Sequence, residues 1–385
     1  MKISVLKYLQ RFCLPFALVA LIGVMSCSIQ DGLDIPFVVL PPNKTLPKND
    51  NTSVRVALYV DTSDAAAVNL LKEIGNYYVE ISGKKIPYFD YVIISGGELK
   101  QGEYTPYLDI SSGLWRILDA RTTLLRPLQD KGIKVLVGVT GGGGGVSFGT
   151  LADVTSQISF ANHISSMRLF YGLDGVEFYD KNAASENRKP YPEIGQIHWN
   201  GQDSVLIDNE NELTEAWKKG GEYMVDMMSY VIVFMGASTS FQGDLSLEWV
   251  ERTPILVREE GFGKWLDQEI PRFAFATTLA CLRYGINGDP STFGKDNEGN
   301  PQQRFYENRF YGPLNINLSD IDEPRLKLFS EKFGTRDWGT ENAVSGDSRY
   351  GLVFYSDMRP HSAEQNRLLS ITSEEIFWSE VQYLP

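Results

Sequence analysis

The feature that most constrains this chain is a short apolar run, rich in β-branched residues, that recurs about every 40 residues. The runs lie at 54–60, 91–94, 133–139, 173–178, 230–235, 272–278, 313–318 and 350–355. Runs that are nearly apolar throughout, rather than alternating, belong to parallel strands covered on both faces. Helical stripes fill several intervals. Ile117, Leu118, Leu124, Leu125 and Leu128 lead to Gly132; Ile158, Phe160, Ile164, Met167 and Phe170 lead to Gly172; Leu213, Trp217, Met224 and Met228 form a third. Eight strand–helix units predict an α/β protein, a (β/α)8 TIM barrel spanning 53–385 as a single domain. An open doubly wound sheet is the structural alternative. The polar stretch 181–211 reads as an excursion over the barrel mouth.

The N-terminal segment is predicted to lie outside the barrel. Lys2, Lys7 and Arg11 precede an apolar run at 12–25, a charged region followed by a hydrophobic stretch of signal-peptide length. The run ends in Val24-Met25-Ser26-Cys27, which resembles a bacterial lipobox. That resemblance implies a signal peptide over 1–26, lipid on the Cys27 thiol and residence as an outer membrane lipoprotein, at the cell surface or on the periplasmic face. A plain secretory signal is the alternative. Residues 27–52, dominated by Pro and polar residues, read as a tether.

Loss of residues 1–26 removes three positive charges and no acids, so the net charge deepens from −13 to −16. So acidic a chain is a poor partner for nucleic acid. Cys13 leaves with the signal and Cys27 carries lipid, so Cys281 is the single free thiol and no internal disulfide forms. His163, His198 and His361 have no ligand spacing. Neither a metal nor a cofactor is expected. The Gly141–Gly145 run invites a phosphate-loop reading, but the Lys-Ser/Thr of such loops is missing and no helical stripe opens on the glycines.

The sequence GLDGVEFYDK at 172–181 carries the most specific likeness. Preceded by about 40 residues by IKVLVGV with its Gly-rich end, it resembles strand four of glycoside hydrolase family 18, in its endo-β-N-acetylglucosaminidase-like branch. The family motif is Asp-x-x-Asp-x-Asp-x-Glu. The resemblance implies that the last Glu is a general acid and that the Asp two before it orients the substrate N-acetyl group, whose oxygen attacks the anomeric carbon. In this chain Asp174 matches the first Asp and Glu177 stands at the second position. Tyr179 replaces the orienting Asp, and Lys181 replaces the acid.

Strand alternation turns Val176 and Phe178 to one face and Glu177, Tyr179 and Lys181 to the other, the barrel axis. The inward positions therefore carry the wrong chemistry for hydrolysis. An ammonium with an ordinary pKa near 10.4 is a weak proton donor, and a phenol cannot supply the negative charge that stabilises a developing oxazolinium. Each lost function is worth roughly 10²–10⁴ in rate. Asp180 has the wrong parity to substitute, while Glu186 and Glu193 lie in the following loop and could swing in. Lys181 is expected to pair with Glu177 or Asp180.

A cleft could still bind sugar. Tyr59, Tyr179, Trp199, Tyr284 and Tyr355 lie at or just beyond strand ends, where barrel sites form, with Asp357 as a polar contact. Glu177, Asp180 and Lys181 complete the candidate site. The favoured function is binding of N-acetylglucosamine-containing glycans, N-glycan or chitobiose cores, by a catalytically impaired lipoprotein beside an outer-membrane glycan importer. The alternatives are an active endo-β-N-acetylglucosaminidase with a displaced carboxylate, and a structural or partner-binding lipoprotein.

Overall fold

The computed structural model describes residues 55–142, 146–180, 191–199, 204–235, 254–258, 261–262, 277–279, 310–318, 324, 350–359, 362–377 and 379–385. The predicted signal, lipidation site and tether lie outside these residues, as do Lys181, Glu186, Cys281 and Tyr284.

The strands in chain order are β1 (Arg55–Val60), β2 (Tyr77–Ile81), β3 (Lys84–Pro87), β4 (Tyr91–Gln101), β5 (Pro106–Ile110), β6 (Lys134–Gly141), β7 (Gly175–Asp180), β8 (Ile197–Trp199), β9 (Ser204–Leu206), β10 (Ile255–Arg258), β11 (Thr277–Leu279), β12 (Phe310–Asn317), β13 (Tyr350–Ser356) and β14 (Gln382–Tyr383). Eight of them form a parallel sheet in the order β11-β10-β7-β6-β4-β1-β13-β12. The two end strands lie side by side, and the sheet is the wall of a (β/α)8 barrel. Strand β5 pairs antiparallel with the long outer half of β4. Residues 43–385 form one compact unit.

Each barrel strand has two buried faces. Val56, Leu58, Val92, Ile94, Val135, Val137, Val176, Phe178, Ile255 and Val257 point out into the layer shared with the helices. Ala57, Tyr91, Ile93, Leu136, Leu256 and Phe354 point in and form a separate cluster on the axis, with Tyr59 packed against it. This is why the strands read as continuous apolar runs: neither face meets water.

The helices are α1 (Ala67–Ile74), α2 (Ser112–Asp119), α3 (Arg121–Leu124), α4 (Arg126–Asp130), α5 (Val154–Tyr171), α6 (Glu210–Phe234) and α7 (Ala363–Phe377). Helix α5 starts where Asp153 accepts a hydrogen bond from Ser156 N, and stops at Gly172 in the left-handed region, φ 66°. Its buried stripe includes Phe160, Ile164 and Met167 and ends on Tyr171; Phe170, expected in the stripe, is exposed.

One predicted strand is wrong. Residues 230–235 are the end of α6, capped at its start by Asn209. Met224, Met227, Met228, Val231 and Met235 continue one buried helical stripe. The fifth barrel strand is instead β10, four residues that the strand spacing did not find. The interval before it is long because it holds the β8–β9 hairpin and the whole of α6.

Candidate functional site

Strand β7 places the motif. Val176 and Phe178 are buried in the helix-facing layer, which leaves Glu177 and Tyr179 on the lumen side. Glu177 is 1% exposed, and it fits because its neighbour on β6 is Gly138, where a Cβ would lie 3.1 Å from Glu177 Oε2.

The cation that meets Glu177 comes from β10. Arg258 Nε donates to Glu177 Oε1 within the buried lumen. The same guanidinium lies 4.4 Å from the ring centroid of Tyr179, 4.8 Å from Tyr59 and 4.7 Å from Phe354. Strands β10 and β1 are four places apart in the eight-strand order, hence on opposite walls. Arg258 therefore spans the lumen from one side to the other. Desolvated guanidinium–ring contacts are worth about 2 kcal/mol, and three rings accompany one buried ion pair here. Burial raises the Tyr59 hydroxyl pKa to about 12, with the Glu177 charge adding to the rise and Arg258 opposing it.

Sequence reasoning missed Arg258 because its strand was missed. It expected Lys181 beside Glu177 or Asp180; the structure supplies Arg258 to Glu177. The available signal was an Arg ending the apolar tetrad ILVR.

Asp180 is not in the cleft. It is fully buried on the other face of β7. Its Oδ2 accepts Ser147 Oγ at 2.8 Å and Phe262 N at 3.0 Å. Burial raises its pKa to about 6, against the opposing pull of Phe262 N–H, the Ser147 and Tyr191 hydroxyls and Phe148 N–H. Glycines make room for it: a Cβ at Gly141 or Gly261 would come within 2.7 Å of Asp180. Phe262 in turn packs on Tyr191 and Trp217 and against Gly149 and Gly220, where a Cβ would overlap its ring. Asp180 thus ties the loops after β6 and β10 to the end of β7.

Two further candidates lie elsewhere. Tyr355 faces the helices, fully buried, with its hydroxyl 2.7 Å from Tyr88 Oη. Parity explains the correction: its neighbour Phe354 is the inward residue. Asp174 sits before the start of β7, away from the mouth, accepting Val135 N at 2.9 Å and Gln129 Nε2 at 2.8 Å, with Lys134 Nζ at 3.5 Å. Asp357 is exposed just after β13, at φ 58°, and pairs at 3.3 Å with Arg359, which also reaches Asp64 at 2.8 Å. Trp199 ends β8, opposite Ser204; its side chain lies outside the described residues. Glu193 accepts Gln196 Nε2 at 3.0 Å at the base of the hairpin.

The glycine run does not open a helix. Gly142 N donates to Val146 O at 2.7 Å, and the short 3-10 turn Phe148–Thr150 follows. Helix α5 begins later with Asp153 at its cap, a carboxylate where a phosphate would sit. Among the described residues no three His, Cys, Asp or Glu side chains converge as metal ligands.

The barrel aligns with the Bacteroides thetaiotamicron EndoBT-3987 structure in complex with Man9GlcNAc2Asn substrate at a TM-score of 0.50, over 86% of this chain and 67% of that one, at 14% identity. In sequence, the chain is 28% identical over 159 residues to an endo-β-N-acetylglucosaminidase of Flavobacterium sp. (strain SK1022), 41% of this chain and 48% of that protein. The fold is that of a family 18 glycoside hydrolase of endo-β-N-acetylglucosaminidase type. Endo-β-N-acetylglucosaminidase F1 of Elizabethkingia meningoseptica is 26% identical over 171 residues, 43% of this chain and 48% of its own length. The chain spans about half the length of the curated relatives it matches. No family model matches it. On this family 18 barrel, the motif position that the resemblance gives to the N-acetyl-orienting Asp is held by Tyr179, with a guanidinium over its ring.

Proposed function

We propose that this chain binds N-acetylglucosamine-containing glycans, of the N-glycan or chitobiose-core kind, at a barrel mouth whose hydrolytic machinery is impaired. One observation carries the reading: Arg258 engages Glu177 and covers Tyr179. A general acid must hold a proton near neutral pH and aim it at the leaving oxygen. Glu177 does the reverse, accepting a hydrogen bond from a guanidinium deep in the lumen. Tyr59, with its pKa near 12, is too weak an acid. Asp180 is locked behind the sheet by Ser147 and Phe262. The fold and the relatives' names support the ligand class; the family scaffold supplies a mouth lined by Tyr59 and Tyr179, both partly exposed.

Titration calorimetry with chitobiose and with a released high-mannose glycan tests binding. Incubation with a high-mannose glycoprotein, followed by mass spectrometry of released sugars, tests hydrolysis. Binding without release supports the proposal; release of a free glycan with one residual N-acetylglucosamine on the protein favours an active enzyme; no binding leaves a structural role.

The N-terminal sequence supports anchoring through Cys27 in the outer membrane, next to a glycan importer. Incorporation of labelled palmitate by wild type and its loss in Cys27→Ser is the expected result.

A further inference from the structure

A barrel lumen is open from its mouth only down to the depth at which side chains close it. Here the closure is a single arginine. Arg258 leaves the β10 wall, takes Glu177 on the adjacent β7, and ends among Tyr59 and Phe354 on the opposite wall. Arg258 is 9% and Glu177 1% exposed. Tyr59 and Tyr179 are half-buried and so present part of each ring above this layer. The guanidinium charge is already met by the Glu177 carboxylate, which leaves a floor that is neutral overall and walled by aromatic rings.

We propose that Arg258 is the specificity-determining residue of the cleft. It closes the lumen beneath Tyr59 and Tyr179, so that a neutral sugar is held against the exposed parts of those rings, and a ligand that must push a 2-acetamido group down the barrel axis is rejected. The inference rests on the glycan-binding reading above and sharpens it: the glycan is held at the mouth, with its acetamido groups outside the lumen. The chemistry is steric first. A guanidinium stacked on three rings and fixed by an ion pair has little freedom to move aside, and displacing it would strand Glu177 as a buried, unpaired charge.

The test is calorimetry with three probes, N,N′-diacetylchitobiose, a linear mannotriose and the thiazoline of N-acetylglucosamine, whose fused ring mimics an inserted acetamido group. Wild type is expected to bind a sugar probe and to ignore the thiazoline. The double variant Glu177→Ala/Arg258→Ala, which removes the plug and its counter-charge together, is expected to gain at least about tenfold in thiazoline affinity. Equal thiazoline binding by wild type and variant overturns the inference. If the double variant does not fold by circular dichroism, a wild-type structure with chitobiose decides. Acetamido groups above Arg258 support the inference; an acetamido group beside Glu177 with Arg258 displaced overturns it. Absence of binding to any sugar, by wild type and variant alike, overturns the glycan-binding reading and this inference with it.

Discussion

The guanidinium of Arg258, on β10, lies 4.8 Å from the ring of Tyr59, on β1 at the far side of the barrel. Two walls of the lumen are thereby joined by one side chain, and its charge is met by Glu177 on a third strand.

Removing one member of that pair is expected to be costly. Glu177→Ala leaves the guanidinium buried without its carboxylate and should destabilise by about 3–5 kcal/mol, measured by urea unfolding. Replacing both charges by apolar residues of similar volume, Glu177→Leu with Arg258→Met, should cost far less than the single change. A double variant at least as unstable as Glu177→Ala would show that the charges themselves hold the barrel together.

Asp180 sets a pH dependence whose sign follows from its raised pKa of about 6 against an ordinary value of 3.8. The folded state favours the protonated carboxyl. The stabilisation is therefore fully present below about pH 4 and is lost as pH rises through about 6, by up to about 3 kcal/mol. Asp180→Asn should flatten this part of the profile. The measurement is denaturant unfolding of wild type and variant at pH 4.5 and pH 7.5; parallel profiles would rule the assignment out.

Gly220 lies within α6 with its Cα against Phe262. Alanine is the better helix former by about 1 kcal/mol, but its methyl would stand 1.9 Å from a Phe262 ring carbon. Overpacking of this kind costs about 1–3 kcal/mol, so Gly220→Ala should lower the melting temperature. The pair Gly220→Ala/Phe262→Leu should recover part of the loss.

Restoring the motif carboxylates should not restore hydrolysis. In Tyr179→Asp/Lys181→Glu the new Asp would face Arg258, which already spans that depth, and would become its second acceptor. Release of glycan from a high-mannose glycoprotein is expected to stay at background. Release at a rate typical of an endoglycosidase would place the impairment wholly in Tyr179 and Lys181.

Much of the barrel was legible because parallel strands covered on both faces leave an unbroken apolar signal, as in VRVALYV and IKVLVGV. Parity within GVEFYD was legible too, because strand alternation is a local property. The error at 230–235 has an equally local origin: a six-residue apolar run carries too few turns to separate a strand from the end of a buried helix. In the structure, the stripe from Met224 to Met235 settles it as helix. Strand β10 escaped because four residues ending in Arg258 show no period at all.

The sequence by itself determined the barrel class, the outward turn of Asp180 and the loss of the two carboxylates at Tyr179 and Lys181. Each depends on residue type and on spacing along one segment. That Tyr355 faces the helices, and that Glu177 answers to Arg258 rather than to Lys181, were decided only by tertiary structure. Arg258 and Tyr59 are separated by nearly 200 residues of sequence and by four strands of sheet. No local pattern encodes a contact across a lumen; it exists because the sheet curls until opposite walls are one side chain apart.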